Sequence, residues 1–150
     1  MSTLRVGDAA PDFTLEDADG TKVRLGDFRE KQAVVLIFYP MDQTPGCTAQ
    51  LCAATDDLQR YTDAGVAVFG VNNGSAASHK RFTQKRHLRV PLLVDVGLRV
   101  ADAYDAATGF GPLRVIKRTV VGISPAGTIV FYRRGAPSTE EILAAVATPA

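Results

Sequence analysis

The sequence predicts an α/β fold, a mixed central sheet flanked by helices. Three observations carry this reading. Apolar runs of strand length, Ala33 to Tyr39 and Val66 to Val71, are continuous rather than alternating, as in strands buried on both faces of a parallel sheet. Helical patterns separate these runs, and alternation at this spacing implies right-handed parallel crossovers. Paired-strand patterns near both ends of the chain add antiparallel strands.

The elements follow in order. Phe13 to Leu15 and Lys22 to Leu25 read as an N-terminal hairpin, turned by Glu16-Asp17-Ala18-Asp19-Gly20. Ala33 to Tyr39 is the first buried strand, and Pro40 ends it. A loop from Met41 to Gly46 leads into a helix from about Cys47, where Cys47, Leu51, Ala54, Leu58 and Tyr61 recur at spacings of three or four. Gly65 is its stop signal. Val66 to Val71 is the next strand. Ser75 is placed to cap a helix running to about Leu88. Pro91 to Asp95 forms a third strand, and Leu98 to Tyr104 a short helix. Arg118 to Ile123 and Thr128 to Tyr132 pair around the turn Ser124-Pro125-Ala126-Gly127. Ser138-Thr139-Glu140-Glu141 opens the last helix with a capping box. A thioredoxin-like arrangement matches this order best, with the N-terminal hairpin as an extension.

The 150 residues fit one domain, 1–150, able to bury a core without disulfide staples. No repeat, low-complexity tract or linker divides them. Hydrophobic residues make up 46% and charged residues 22%, as in an ordinary globule. The formal net charge of +1 implies neither nucleic acid nor an anionic membrane as partner. No apolar stretch reaches the roughly 20 residues that span a bilayer. The start, Met1-Ser2-Thr3-Leu4-Arg5, lacks the apolar segment of a signal peptide. The expected compartment is therefore the cytoplasm, where structural disulfides are rare.

There are two cysteines, Cys47 and Cys52. Close cysteines in a reducing compartment point to catalysis, redox sensing or metal binding. A zinc site usually takes four ligands, and His79 and His87 stand far downstream. No metal, haem or flavin is expected. Cys47 follows a buried strand and opens a helix. Ligands of open α/β sheets bind at the carboxyl ends of strands. Helix N-termini present unpaired N–H groups and partial positive charge, which favour a thiolate over a thiol. The plainer alternative is a small buried hydrophobe, but the polar, turn-rich Pro40 to Gly46 puts Cys47 at the start of its helix rather than in the middle.

Pro40-x-x-x-Thr44-x-x-Cys47 resembles the active-site signature of peroxiredoxins. The longer run Phe38-Tyr39-Pro40, Thr44-Pro45-Gly46-Cys47-Thr48 and Cys52 is similar to the bacterioferritin-comigratory-protein or peroxiredoxin Q branch. Further blocks stand in the same order: Val6-Gly7-Asp8-x-Ala10-Pro11-Asp12-Phe13, Gly70-Val71, Ser78-His79-Lys80 with Phe82, and Arg118-Thr119. The resemblance implies a thiol peroxidase with Cys47 as nucleophile. Thr44 would hydrogen-bond the thiolate and the peroxide, Pro40 would shield the pocket and shape the loop, and Arg118 would supply the stabilising cation. Taken singly, Thr44 reads as a turn residue, Arg118 as a surface charge and Pro40 as a strand terminator.

By the same resemblance Cys52 would resolve a Cys47 sulfenic acid as an intrasubunit disulfide. Residues five apart in an intact helix have Cα atoms about 8.6 Å apart, whereas a disulfide needs less than about 7 Å. The segment is therefore expected to unwind in each cycle. The disulfide then needs a dithiol donor such as thioredoxin or a glutaredoxin-like protein. The expected substrates are hydrogen peroxide and organic hydroperoxides. A monomer is expected because both cysteines share a helix and the chain ends soon after the last one, although dimers through other surfaces are compatible.

Gln50 and Thr55-Asp56 depart from the branch, which often carries Glu and an Arg-Asp pair there. Asn72 and Asn73 stand where Ser and Asp are common, and neither is assigned a catalytic role. The basic stretch Lys80, Arg81, Lys85, Arg86 and Arg89 reads as a solvated helical face, with His79 and His87 on a surface helix. Gly109-Phe110-Gly111 lacks the third glycine and preceding strand of a dinucleotide site. Two rivals stand beside the peroxidase. A thioredoxin-type oxidoreductase would need Cys-x-x-Cys. A redox-sensing or chaperone-like binding protein would use the same cysteine pair as a switch.

Overall fold

The computed structural model describes residues 4–147, so the first three residues and the last three, including the chain end read above, lie outside it. The N-terminal hairpin forms as β1 (Thr14–Asp17) and β2 (Lys22–Arg24). The first buried run is β3 (Ala33–Phe38), and all six of its residues are buried. The helical pattern after it is split into α1 (Pro45–Asp56) and α2 (Leu58–Asp63). Then come β4 (Val66–Asn72), α3 (Ala76–Arg86), β5 (Leu92–Val94) and α4 (Arg99–Ala103). A small ribbon of β6 (Ala107–Thr108) and β7 (Val115–Ile116) precedes β8 (Thr119–Ile123), β9 (Ile129–Arg134) and α5 (Thr139–Val146).

Seven strands make one sheet in the order β2-β1-β5-β4-β3-β8-β9. β3, β4 and β5 run parallel, and β1 and β8 join them antiparallel at either side. This is the expected mixed sheet, and the hairpin extends it through β1 rather than standing apart.

The period of two along β3 builds both halves of the core. Ala33, Val35 and Ile37 pack with Leu51, Ala54, Tyr61, Phe82 and Ile142 on one face. Val34, Leu36 and Phe38 pack with Phe69, Leu98, Ala101 and Tyr104 on the other. Cys47 belongs to the first cluster.

Several expectations shift on contact with the structure. α1 begins at Pro45, two residues before the predicted start, because Thr44 has extended backbone and Pro45 stands inside the first turn, where its missing N–H is no loss. The predicted single helix breaks at Asp57, whose carboxylate accepts from Thr139 at 2.5 Å and lies 3.7 Å from Arg60. The ribbon β6–β7 has no counterpart in the sequence pattern. Its two-residue strands are too short to show a period, and the turn between them depends on Gly109 (φ 96°), where a Cβ would lie 2.3 Å from the Leu113 carbonyl oxygen. His79 is not a surface residue: it is 0% exposed, whereas His87 is exposed and closes α3 in left-handed backbone.

Candidate active site around Cys47

β3 ends in the middle of the sheet, and the chain turns through Tyr39 to Thr44 into α1. Cys47 is the third residue of that helix. The first i→i−4 bond of this end runs from the Thr48 N–H to the Thr44 carbonyl at 2.8 Å. The Cys47 N–H therefore falls among the first-turn donors that a helix leaves without an i−4 carbonyl of its own. The Cys47 side chain is 0% exposed.

Arg118 arrives from the neighbouring strand. The antiparallel register pairs Phe38 with Thr119, so the residue before β8 lies at the carboxyl end of β3. The Arg118 guanidinium divides its donors: Nη2 donates to Cys47 Sγ at 3.2 Å and Nη1 to Gln50 Oε1 at 2.7 Å. Gln50 in turn directs Nε2 at the Gly135 carbonyl, 3.5 Å away. The Gly135 N–H donates to the Arg118 carbonyl at 2.9 Å. Gly46 makes room for the guanidinium, since a Cβ there would lie 3.1 Å from Nη2. A fixed cation and a helix N-terminus thus converge on one sulfur.

Of the residues singled out in the sequence, Cys47 and Arg118 are in contact. Thr44 is close in the chain, but its hydroxyl donates to the Met41 carbonyl at 3.1 Å rather than to the sulfur. Pro40 is half-buried, and its carbonyl accepts from Asn72 Nδ2 at 2.9 Å. Cys52 is half-buried on the same uninterrupted helix as Cys47. The departures have local roles. Gln50 carries the Arg118 fork, and Thr55 takes the Arg89 N–H on its hydroxyl and the Arg89 guanidinium on its carbonyl, both at 3.2 Å. Arg89 lies beyond the end of α3 and, while still exposed, ties down the far end of α1.

Sequence reasoning missed a polar cluster on the other side of the loop. Asp42, with its side chain 5% exposed, accepts from Tyr39 Oη at 2.6 Å and from Ser78 Oγ at 2.7 Å, and lies 2.7 Å from His79 Nδ1. His79 Nε2 is 3.0 Å from the Leu93 carbonyl. Burial pushes the Asp42 carboxyl up, but the bonds from His79, Tyr39 and Ser78 outweigh it and hold the group below the usual carboxylate range. The Tyr39 hydroxyl is pushed far up, first by burial and then by the Asp42 charge, so it stays a donor. Asn72, 2% exposed, adds a second clamp: Nδ2 donates to the Tyr39 and Pro40 carbonyls at 2.8 and 2.9 Å, and Oδ1 accepts from the Gly74 N–H at 2.7 Å. The signal available was the spacing of His79 and Phe82, which puts both on one face of α3.

A sequence profile of the AhpC/TSA family matches residues 6–132. A chloroplastic peroxiredoxin Q of Triticum aestivum is 49% identical over 94 residues, covering 63% of this chain and 43% of that protein. The chloroplastic peroxiredoxin Q of Arabidopsis thaliana is 48% identical over 100 residues, covering 67% and 46%. The chain thus spans less than half the length of these curated relatives. Among solved structures, peroxidoxin BcpB from Mycobacterium tuberculosis superposes with a TM-score of 0.87 at 27% identity, covering 95% of this chain and 96% of that one. A cysteine-to-serine mutant of Xylella fastidiosa PrxQ gives 0.86 at 27%, covering 96% of each. The fold is accordingly that of thioredoxin-like peroxiredoxins. The profile match and these likenesses together establish that the chain belongs to the AhpC/TSA family, in its bacterioferritin-comigratory-protein and peroxiredoxin Q branch.

Proposed function

We propose that the protein is a thiol peroxidase in which Cys47 attacks hydrogen peroxide or an organic hydroperoxide. The observation that carries this reading is the 3.2 Å contact from Arg118 Nη2 to Cys47 Sγ at the start of α1. In the proposed step the thiolate sulfur bonds to the distal peroxide oxygen as the O–O bond breaks. Sulfur is oxidised by two electrons to the sulfenic acid, and the leaving oxygen takes a proton to become water or an alcohol. Charge builds on that oxygen in the transition state, where the Arg118 fork and the first-turn N–H groups are preorganised to receive it. Thr44 would join them by turning its hydroxyl from Met41 to the reacting atoms, and Pro40 would keep the loop in shape.

The resolving step is assigned to Cys52. Its thiol displaces hydroxide from the Cys47 sulfenic acid, giving a disulfide and water. Both residues lie on the intact α1, where helix geometry keeps their Cα atoms about 8.6 Å apart. The first turns of α1 must therefore unwind. A dithiol donor, thioredoxin or a glutaredoxin-like protein, then reduces the disulfide by exchange. The proposed setting is a reducing compartment such as the cytoplasm, and the proposed working form is a monomer.

A coupled assay with thioredoxin and thioredoxin reductase tests the reading. Wild type should consume peroxide through many turnovers, and Cys47→Ser should not. Oxidation without turnover by any dithiol donor would favour a redox sensor instead.

A further inference from the structure

The Asp42 cluster has no part in the peroxide chemistry, yet it is buried, ionised and built on the loop that carries the nucleophile. Leu93 can offer His79 only a carbonyl acceptor, so Nε2 carries a proton. A second proton must lie between Nδ1 and Asp42 Oδ2, because two lone pairs facing at 2.7 Å would repel. The contact is therefore a hydrogen bond with one proton shared between Nδ1 and Oδ2, fastened at one end to α3 and β5 and at the other to the loop. Tyr39, the residue after β3, donates to Asp42 Oδ1, and Ser78 from α3 donates to Oδ2.

The next residue, Gln43, has φ 63°, a left-handed conformation that is strained for a residue with a Cβ. Such a conformation persists only where its surroundings over-determine it. Here the Asp42 contacts fix one side and the start of α1 fixes the other. On the far side of the helix, Arg89 holds Thr55. The stretch free to rearrange is thus bracketed by Asp42 and Thr55, and it contains both cysteines.

We propose that Asp42 and His79 are positioning residues, whose proton-sharing contact latches the loop against α3 and holds Cys47 in its peroxide-facing place. The latch sets how often α1 unwinds towards Cys52, and the strained Gln43 favours release once the latch opens. The inference deepens the peroxidase reading and rests on it for its consequence, but the latch itself is measurable without catalysis.

The test uses Asp42→Asn and His79→Gln, each of which removes the shared proton while keeping a side chain of similar shape. Hydrogen exchange of the reduced proteins is compared over residues 43 to 51, with β3 and β4 as internal controls. Exchange in the loop and first turns should rise about ten- to a hundredfold, the range for losing a hydrogen bond to a charged group, while the strands stay protected. After peroxide, intact-mass spectrometry should show a larger share of disulfide and a smaller share of Cys47 sulfinic acid than in wild type. Ser78→Ala, which removes a single bond to Asp42, should shift both readouts in the same direction by a smaller factor and covers the case in which the other variants do not fold. Unchanged loop exchange, or a rise as large in β3 and β4 as in the loop, would overturn the proposal. If wild type forms no Cys47–Cys52 disulfide, the resolving reading fails, and loop exchange in the reduced variants still decides the latch.

Discussion

Arg118 and Cys47 meet through one nitrogen of the guanidinium, while the other nitrogen is held by Gln50. The cation at the sulfur is thus fixed by a second contact on the same helix as the nucleophile. Unwinding that helix separates all three residues.

Arg118→Lys should slow the reaction with peroxide about ten- to a hundredfold, because an ammonium cannot serve Cys47 and Gln50 with one planar fork and a charge-assisted bond is lost. Rapid-quench trapping of the sulfenic acid measures this. Thermal stability should change little, since the side chain is only part-buried.

Gly46→Ala separates position from charge. The new Cβ would stand 3.1 Å from Arg118 Nη2 and push the guanidinium aside. Alanine is the better helix residue by about 1 kcal/mol, so the melting temperature should hold or rise while the peroxide rate falls several-fold.

Cys52→Ser should react once with peroxide and then stall with thioredoxin. The site is half-buried and the substitution small, so the fold should survive. Non-reducing mass spectrometry should find the Cys47 sulfenic or sulfinic acid in place of a disulfide.

Asn72→Ala should destabilise the protein by about 2–4 kcal/mol, because it leaves the Tyr39 and Pro40 carbonyls and the Gly74 N–H without their partner in a buried setting. Urea unfolding with an unchanged m-value measures this.

Asp42 predicts an acid dependence. Its carboxyl is held below the usual range in the folded protein, whereas in the unfolded chain it titrates near about 3.9. Its contribution to stability is therefore full above about pH 4 and is lost as pH falls through the folded-state value. The difference in unfolding free energy between wild type and Asp42→Asn should shrink as pH falls below about 4.

Much of this frame is legible in the residues themselves. β3 and β4 announce themselves because both faces of each strand are buried, so the apolar run is unbroken. α5 is marked by Ser138 and Glu141, which form the capping box that their spacing predicts. The apolar period begins only at Cys47 and so points to a start of α1 two residues late, although Thr44-Pro45 already carries the boundary. Cys47 and Arg118 could be singled out by motif, but their contact depends on the β3–β8 register, which no local pattern encodes. His79 stands among Lys80, Arg81, Lys85 and Arg86, whose charges conceal the one buried polar position of that face. Asp42 looks like any loop carboxylate until the fold brings α3 beside it.

The central claim is that Cys47 takes the peroxide oxygen. Cys52→Ser protein, mixed with one equivalent of hydrogen peroxide and a sulfenic-acid trap, tests it most directly by peptide mass spectrometry. The adduct should map to Cys47 and vanish in the protein that also carries Cys47→Ser. Peroxide consumption at the wild-type rate by Cys47→Ser, or the absence of any adduct at Cys47, would contradict the account.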